Sequence, residues 1–109
     1  MKLIRILTTA MIVSLALPIA NSFAADADAG KTLFEKNCAG CHGKDGKGNP
    51  AVAKTMGEKG LNLTTKEPKE MSDDQALKVI SDGAGKMPKS KLTKAEQKQV
   101  LDYSRTLGK

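Results

Sequence analysis

The sequence predicts an all-α domain of three or more helices. Two segments open with a capping box, in which a Ser or Thr is followed three residues later by Gln or Glu. Both segments continue with apolar residues at helical spacing. No segment after residue 25 alternates apolar and polar residues as a half-buried strand would. The chain has 109 residues, which is room for one domain.

The first helix is predicted over residues 28–37, with Asp26 or Asp28 as its N-cap. Small and apolar residues at helical spacing form its buried face: Gly30, Leu33 and Phe34. This helix leads the chain directly into the two cysteines.

The second and third helices are predicted from their capping boxes, which begin at Ser72 and Thr93. Gly83 supplies the stop of the second helix and Gly108 the stop of the third. The buried stripes are Ala76, Leu77 and Ile80 in the second helix, and Val100, Leu101, Ser104 and Leu107 in the third.

The N-terminus has the build of a secretory signal peptide. Lys2 and Arg5 precede an apolar run over residues 6–20, and small residues follow around Ser22 and Ala24. A retained membrane anchor would need roughly 20 predominantly apolar residues. This run is shorter and is interrupted by Thr and Ser.

We therefore predict a signal peptide over residues 1–24, cleaved before Ala25 or one or two residues later, and one domain over residues 25–109. The predicted destination is the periplasm, with no stable membrane insertion after cleavage. The chain is basic, with 18 Lys and Arg against 12 Asp and Glu. It remains basic when the two cations of the leader are removed.

The predicted domain is small and poor in aromatic residues. Its aromatic side chains are Phe34 and Tyr103, and the chain contains no Trp. A domain of this size is marginally stable unless a cofactor or a disulfide reinforces its core. Both remedies are open to a chain with one pair of cysteines.

The run Cys38-Ala39-Gly40-Cys41-His42 has the C-x-x-C-H pattern of covalent haem attachment. Two thiols three positions apart on a helical turn lie on one face, so each can add to one vinyl group of the same haem. The adjacent imidazole then binds the iron. The pattern uses both cysteines and the single His of the chain. It predicts one covalently bound haem c, with its iron.

The competing interpretations of the two cysteines fit less well. A thioredoxin-like redox pair needs a βαβ setting, which the sequence lacks. A structural zinc site needs four ligands from Cys and His, and this chain has three. A simple disulfide would leave His42 without a role.

A long stretch punctuated by glycines separates the first two predicted helices. Such a stretch in a small domain is usually functional, and a flat cofactor is a suitable group for it to surround. Its apolar residues are candidates for the wall of the haem pocket, although they could also pack between helices: Val52, Leu61 and Leu63.

The second iron ligand must come from Met56, Met71 or Met87, or from a Lys or water. Met71 has an ordinary explanation as an apolar residue before a helix N-cap. Met56 follows the attachment motif closely, so it is harder to bring to the opposite haem face. Met87 lies in a glycine-containing loop, and Pro88 holds it in an extended conformation. Met87 is therefore the predicted axial ligand opposite His42.

These features together resemble a class I c-type cytochrome of the small bacterial monohaem type, similar to cytochromes c6, c551 and c553. The resemblance covers residues 25–109. Four features match in order: the first helix with Gly30 and Phe34, the Cys38–His42 motif, the loop from Gly85 to Pro88, and the last helix with Tyr103.

The resemblance implies three or more helices wrapped around one covalently bound haem. It implies that the first and last helices cross where Gly30 meets the last helix near Tyr103. It also implies a backbone carbonyl that accepts a hydrogen bond from the proximal imidazole. Pro50 fits that position, and the carbonyl of Asn49 or of a neighbouring residue is the alternative.

The resemblance further implies a soluble one-electron carrier between redox proteins rather than an enzyme, since Met–His ligation closes the iron. The alternative is a haem-based sensor or peroxidase-like protein with an open iron position. We expect a monomer that does not bind nucleic acid. Lysines follow the motif and surround Met87, and they predict a positive collar for acidic partners: Lys44, Lys47, Lys86, Lys89, Lys91 and Lys94.

Overall fold

The computed structural model describes residues 21–109, with side chains from residue 26 onward. The predicted signal peptide therefore lies mostly outside the described residues. Between residues 21 and 109 the chain forms six α-helices and no strand, which confirms the all-α prediction. They are α1 (Asn21–Asn37), α2 (Ala39–His42), α3 (Pro50–Met56), α4 (Lys66–Glu70), α5 (Asp73–Asp82) and α6 (Lys94–Ser104).

The core lies where α1 crosses α6, as the resemblance implied. Gly30 is buried at the crossing, and a Cβ there would meet the backbone of Gln99 and the side chain of Tyr103. Only glycine therefore allows the two helices to approach this closely. Phe34 is 1% exposed, and its ring centroid lies 5.4 Å from that of Tyr103 at an interplanar angle of 58°. This tilted pair is a favourable aromatic geometry.

Both predicted capping boxes are present. The Ser72 hydroxyl accepts from the Gln75 amide of α5, and the Gln75 side chain accepts from the Ser72 amide. Thr93 and Glu96 exchange the equivalent pair of hydrogen bonds at the start of α6. Gly83 ends α5 with a φ of +78°. The predicted stripes hold in part. Ala76, Val100 and Leu101 are buried, whereas Leu77, Ile80 and Ser104 are half-buried. Leu107 is also half-buried, but it lies beyond the end of α6.

The first helix begins earlier than the sequence predicts. α1 is already helical at Asn21, so neither Asp26 nor Asp28 is its N-cap. The intervening residues are rich in Ala, the best helix former, and nothing before Gly30 breaks the helix. Asp26 instead accepts a hydrogen bond from the side chain of Gln99 on α6, over 3.3 Å.

The glycine-punctuated stretch contains two helices that the sequence analysis did not predict. Asn49 is the N-cap of α3, because its side-chain oxygen accepts from the Ala51 amide at 3.0 Å. Pro50 occupies the first helical position, where a missing N–H costs nothing. Gly57 ends α3 with a φ of +87°. The shorter α4 leads into Met71, which precedes α5.

The last helix ends at Ser104 rather than at Gly108. The chain beyond it tightens into turns, which bring Leu107 against Gly46 in the loop after the attachment motif. Arg105 joins this end of α6 to the corner between α4 and α5. Its guanidinium donates to the carbonyls of Lys69 (3.1 Å) and Met71 (2.8 Å) and to the carboxylate of Asp73 (3.1 Å). The cation thus satisfies carbonyls at the C-terminal end of α4.

Candidate haem site

The attachment motif forms a separate helical turn after α1. α1 ends at Asn37, and Cys38 is the N-cap of α2. The Cys38 amide donates to the Phe34 carbonyl at 2.8 Å, and the His42 amide donates to the Cys38 carbonyl at 2.9 Å. Because the turn continues directly from α1, the two cysteines and the imidazole are attached to the α1–α6 core.

The chain after His42 folds back onto this turn and braces it. The Gly48 amide donates to the His42 carbonyl at 2.7 Å, and the Asn49 amide donates to the Cys41 carbonyl at 2.9 Å. The Asn49 side chain also donates to the Gly40 carbonyl at 2.9 Å. These bonds satisfy carbonyls that a four-residue helix leaves unpaired at its end.

His42 is buried, and its Nδ1 lies 2.8 Å from the carbonyl oxygen of Leu61. The bond expected at Pro50 is therefore made elsewhere. Pro50 is exposed and opens α3, so its carbonyl belongs to the backbone ladder of that helix. The sequence analysis did not single out the Leu61 carbonyl. The available signal was Gly60, which marks a turn just before it.

The two cysteines lie in different surroundings. Cys38 is half-buried, whereas Cys41 is exposed. Burial raises the pKa of the Cys38 thiol, and the charge of the neighbouring Cys41 raises that pKa further.

Met87 lies in a tight turn at the end of α5. The amide of Ala84 donates to the Met87 carbonyl at 3.1 Å, and the Met87 amide donates to the Ala84 carbonyl at 2.9 Å. A Cβ at Gly83 would overlap the Met87 carbonyl, so this glycine is required for the loop to fold back on itself. Met87 is half-buried. The turn therefore fixes the backbone of Met87.

The other two methionines occupy different positions. Met71 is half-buried, and its carbonyl accepts from Arg105, so it belongs to the corner between α4 and α5. Met56 is the last residue of α3 and is 39% exposed. The ammonium of Lys86 reaches the Met56 carbonyl at 3.4 Å. The end of α3 thus lies beside the loop that carries Met87.

The apolar residues predicted to line the pocket are all half-buried: Val52, Leu61 and Leu63. Pro50 and Leu61 share the wall of a cavity of about 270 Å³ with Asn49 and Glu58. A larger groove of about 820 Å³ lies between α4 and α5 and is lined by Met71 and Val79, among others. The lining of that groove includes none of the motif residues.

The donor set suits covalent haem c. The motif offers two thiols on one turn and an imidazole whose Nδ1 is committed to a backbone carbonyl. Within residues 26–109, no hydrogen bond engages the other ring nitrogen, Nε2, which is the atom a metal would take. Among the described residues, no helix is long and apolar enough to cross a membrane.

Comparison with known proteins agrees with this geometry. A family model described as Cytochrome c matches residues 27–108. The chain is also similar to the Cbb3-type cytochrome c oxidase subunit FixP of Bradyrhizobium sp. (strain ORS 278), with 38% identity over 87 residues. That alignment covers 76% of this chain and 28% of the relative, so the chain spans little more than a quarter of its length. The chain belongs to the cytochrome c family and is a small monohaem c-type cytochrome, an electron-transfer protein that carries covalent haem c.

Proposed function

We propose that this cytochrome is an exported, soluble carrier of single electrons between redox proteins. Residues 1–24 act as a signal peptide, and residues 25–109 form the haem domain that remains in the periplasm. The observation that carries the proposal is the turn from Cys38 to His42, where two cysteines adjoin a buried imidazole whose Nδ1 lies within hydrogen-bond distance of a backbone carbonyl.

In this proposal Cys38 and Cys41 would hold the haem through thioether bonds, and His42 and Met87 would bind its iron. The bound haem supplies an iron that cycles between the ferric and ferrous states. The protein contributes rigidity. Backbone bonds fix His42 and the turn that carries Met87, so little reorganisation accompanies electron transfer.

Partner choice in this proposal depends on surface charge. Lys86 and Lys89 flank Met87, and both are exposed. Neither forms an ion pair with any described residue, whereas Lys66 and Lys78 pair with acidic side chains on their own helices. Uncompensated positive charge near the site favours acidic partners. The relative is named as an oxidase subunit, which supports a respiratory oxidase as one such partner.

Carbon monoxide binding and the oxidised absorption spectrum test the closed-iron carrier. We expect the ferrous holoprotein not to bind carbon monoxide, and the ferric form to show the weak long-wavelength band of Met–iron ligation. Rapid carbon monoxide binding without that band would favour the sensor or peroxidase-like alternative. Osmotic-shock fractionation with intact-mass measurement tests export, and we expect a periplasmic product beginning at or near Ala25.

A further inference from the structure

The Leu61 carbonyl that meets His42 Nδ1 lies outside any helix. Leu61 follows His42 by 19 residues and sits in the irregular segment between α3 and α4. Its oxygen lies 2.8 Å from Nδ1, so the imidazole hydrogen bond depends on where that segment places one peptide group. A local device must fix this placement, because no helix does.

A tight turn from Glu58 to Leu61 provides that device. The Leu61 amide donates to the Glu58 carbonyl at 3.1 Å, which closes the turn. Gly60, the third residue, has a φ of +81°, as a type II turn requires at that position. After the turn, the Leu63 amide donates to the Gly46 carbonyl at 2.7 Å. The Leu61 carbonyl is therefore held from both sides.

Gly60 is needed for its backbone conformation and not for space. A Cβ at Gly60 would find no atom within 4 Å, so alanine would meet no steric clash there. The positive φ alone would be strained by an L side chain. Replacing Gly60 thus perturbs the turn while leaving its surroundings intact.

We propose that Gly60 is a positioning residue that sets the hydrogen bond between His42 and Leu61, and through it the reduction potential of the haem. The inference rests on the proposed role of His42 as iron ligand. A short bond from Nδ1–H to a carbonyl makes the imidazole a stronger electron donor. A stronger donor favours the ferric state, so a weaker bond should raise the potential.

Gly60→Ala in the holoprotein tests the proposal, with Gly57→Ala as the matched control. Gly57 also has a positive φ and also faces open space, but it ends α3 and makes no bond to Leu61. Its φ of +87° and ψ of 160° lie in a region of backbone conformation that is nearly restricted to glycine. The control therefore carries at least as much backbone strain, at a position that does not belong to the turn.

Two measurements report on the bond: the exchange of the His42 Nδ1 proton with deuterium, followed by NMR, and the reduction potential. We expect Gly60→Ala to speed the exchange several-fold and to raise the potential. Gly57→Ala should leave the reduction potential unchanged, and it should speed the exchange only as far as its lower stability does. Gly60→Asn should have an exchange rate and a reduction potential closer to those of the wild type, since Asn tolerates a positive φ.

Equal effects of Gly60→Ala and Gly57→Ala on the exchange rate and the potential would overturn the proposal. If the proposed function is wrong and His42 does not bind the iron, the result is different. The NMR spectrum of the wild-type holoprotein would then lack the shifted imidazole resonances altogether.

Discussion

His42 and Met87 are the residues on which the redox behaviour depends in this account. His42 is fixed by the backbone on both sides, through the turn of α2 and through the Leu61 carbonyl. Met87 is fixed by the turn that Gly83 permits at the end of α5. Main-chain geometry thus holds both proposed ligands.

Met87→Ala should leave the covalent haem in place, lower the reduction potential and allow carbon monoxide to bind. The reason is that loss of the thioether removes the ligand that raises the potential and closes the iron. Potentiometry and carbon monoxide titration check this. Met56→Ala and Met71→Ala are the controls, because Met56 ends α3 and Met71 belongs to the α4–α5 corner. The ligand assignment is wrong if either control, and not Met87→Ala, produces these changes.

At the level of elements, the corner between α4 and α5 is the joint that places the Met87 loop. Arg105 holds this corner with three hydrogen bonds, and Lys69 returns a bond to the Leu107 carbonyl at 2.9 Å. α5 starts from this corner and ends at the loop. The end of α6 therefore fixes the helix that leads into the Met87 loop.

Arg105→Lys should lower the free energy of unfolding by about 1–2 kcal/mol, because one ammonium cannot replace a planar guanidinium that bonds three acceptors. Guanidinium chloride unfolding of the holoprotein measures this. Lys78→Gln is the matched control, since it removes an exposed ion pair to Asp82 that contributes about 1 kcal/mol or less. Equal losses in the two variants would show that Arg105 has no special role at this joint.

Acid should weaken the N-terminus of α6. Hydrogen bonds from the backbone and side chain of Thr93 lower the pKa of Glu96. A carboxyl group whose pKa is lower in the folded state contributes stability above its unfolded pKa, and this is lost as the pH falls through the folded pKa. Glu96→Gln should therefore show a smaller loss of thermal stability between neutral and acidic pH than the wild type. Identical pH profiles would contradict this.

Helices could be predicted where residues close together in the sequence mark their start. The capping boxes at Ser72 and Thr93 involve residues three apart, so they can be recognised in sequence, and both are present. α3 was missed because it buries none of its residues and so shows no apolar stripe, although Asn49-Pro50 marks its start. The partner of His42 was missed because a backbone carbonyl of any residue type can accept that bond, and Gly60 signals only that a turn precedes Leu61.

At the scale of the whole molecule, the described domain has a small core and a basic surface. The buried apolar side chains are Phe34, Ala76, Val100 and Leu101, all on α1, α5 and α6. The charges of α5 and α6 are largely paired with one another, as in Lys78–Asp82 and Lys98–Asp102. On the loop that carries Met87, Lys86 and Lys89 are exposed and form no ion pair with any described residue.

Charge reversal of Lys86 and Lys89 together should slow electron exchange with a carboxylate-coated electrode about tenfold at low salt, because steering by the positive surface is lost. The dependence on ionic strength should flatten as well. Reversal of Lys66 and Lys78 is the control, since both are ion-paired on α4 and α5. Equal slowing by the two double variants would reject a localised docking surface and leave the haem assignment intact.

The central claim, one covalent haem carrying one electron, is tested most directly by a redox titration of the purified holoprotein whose intact mass has been measured. The account predicts a mass of the processed chain plus one haem, attached through Cys38 and Cys41, and a single reversible Nernst wave with one electron per chain. A chain without covalent haem, or a haem that gives no reversible one-electron wave, would contradict it.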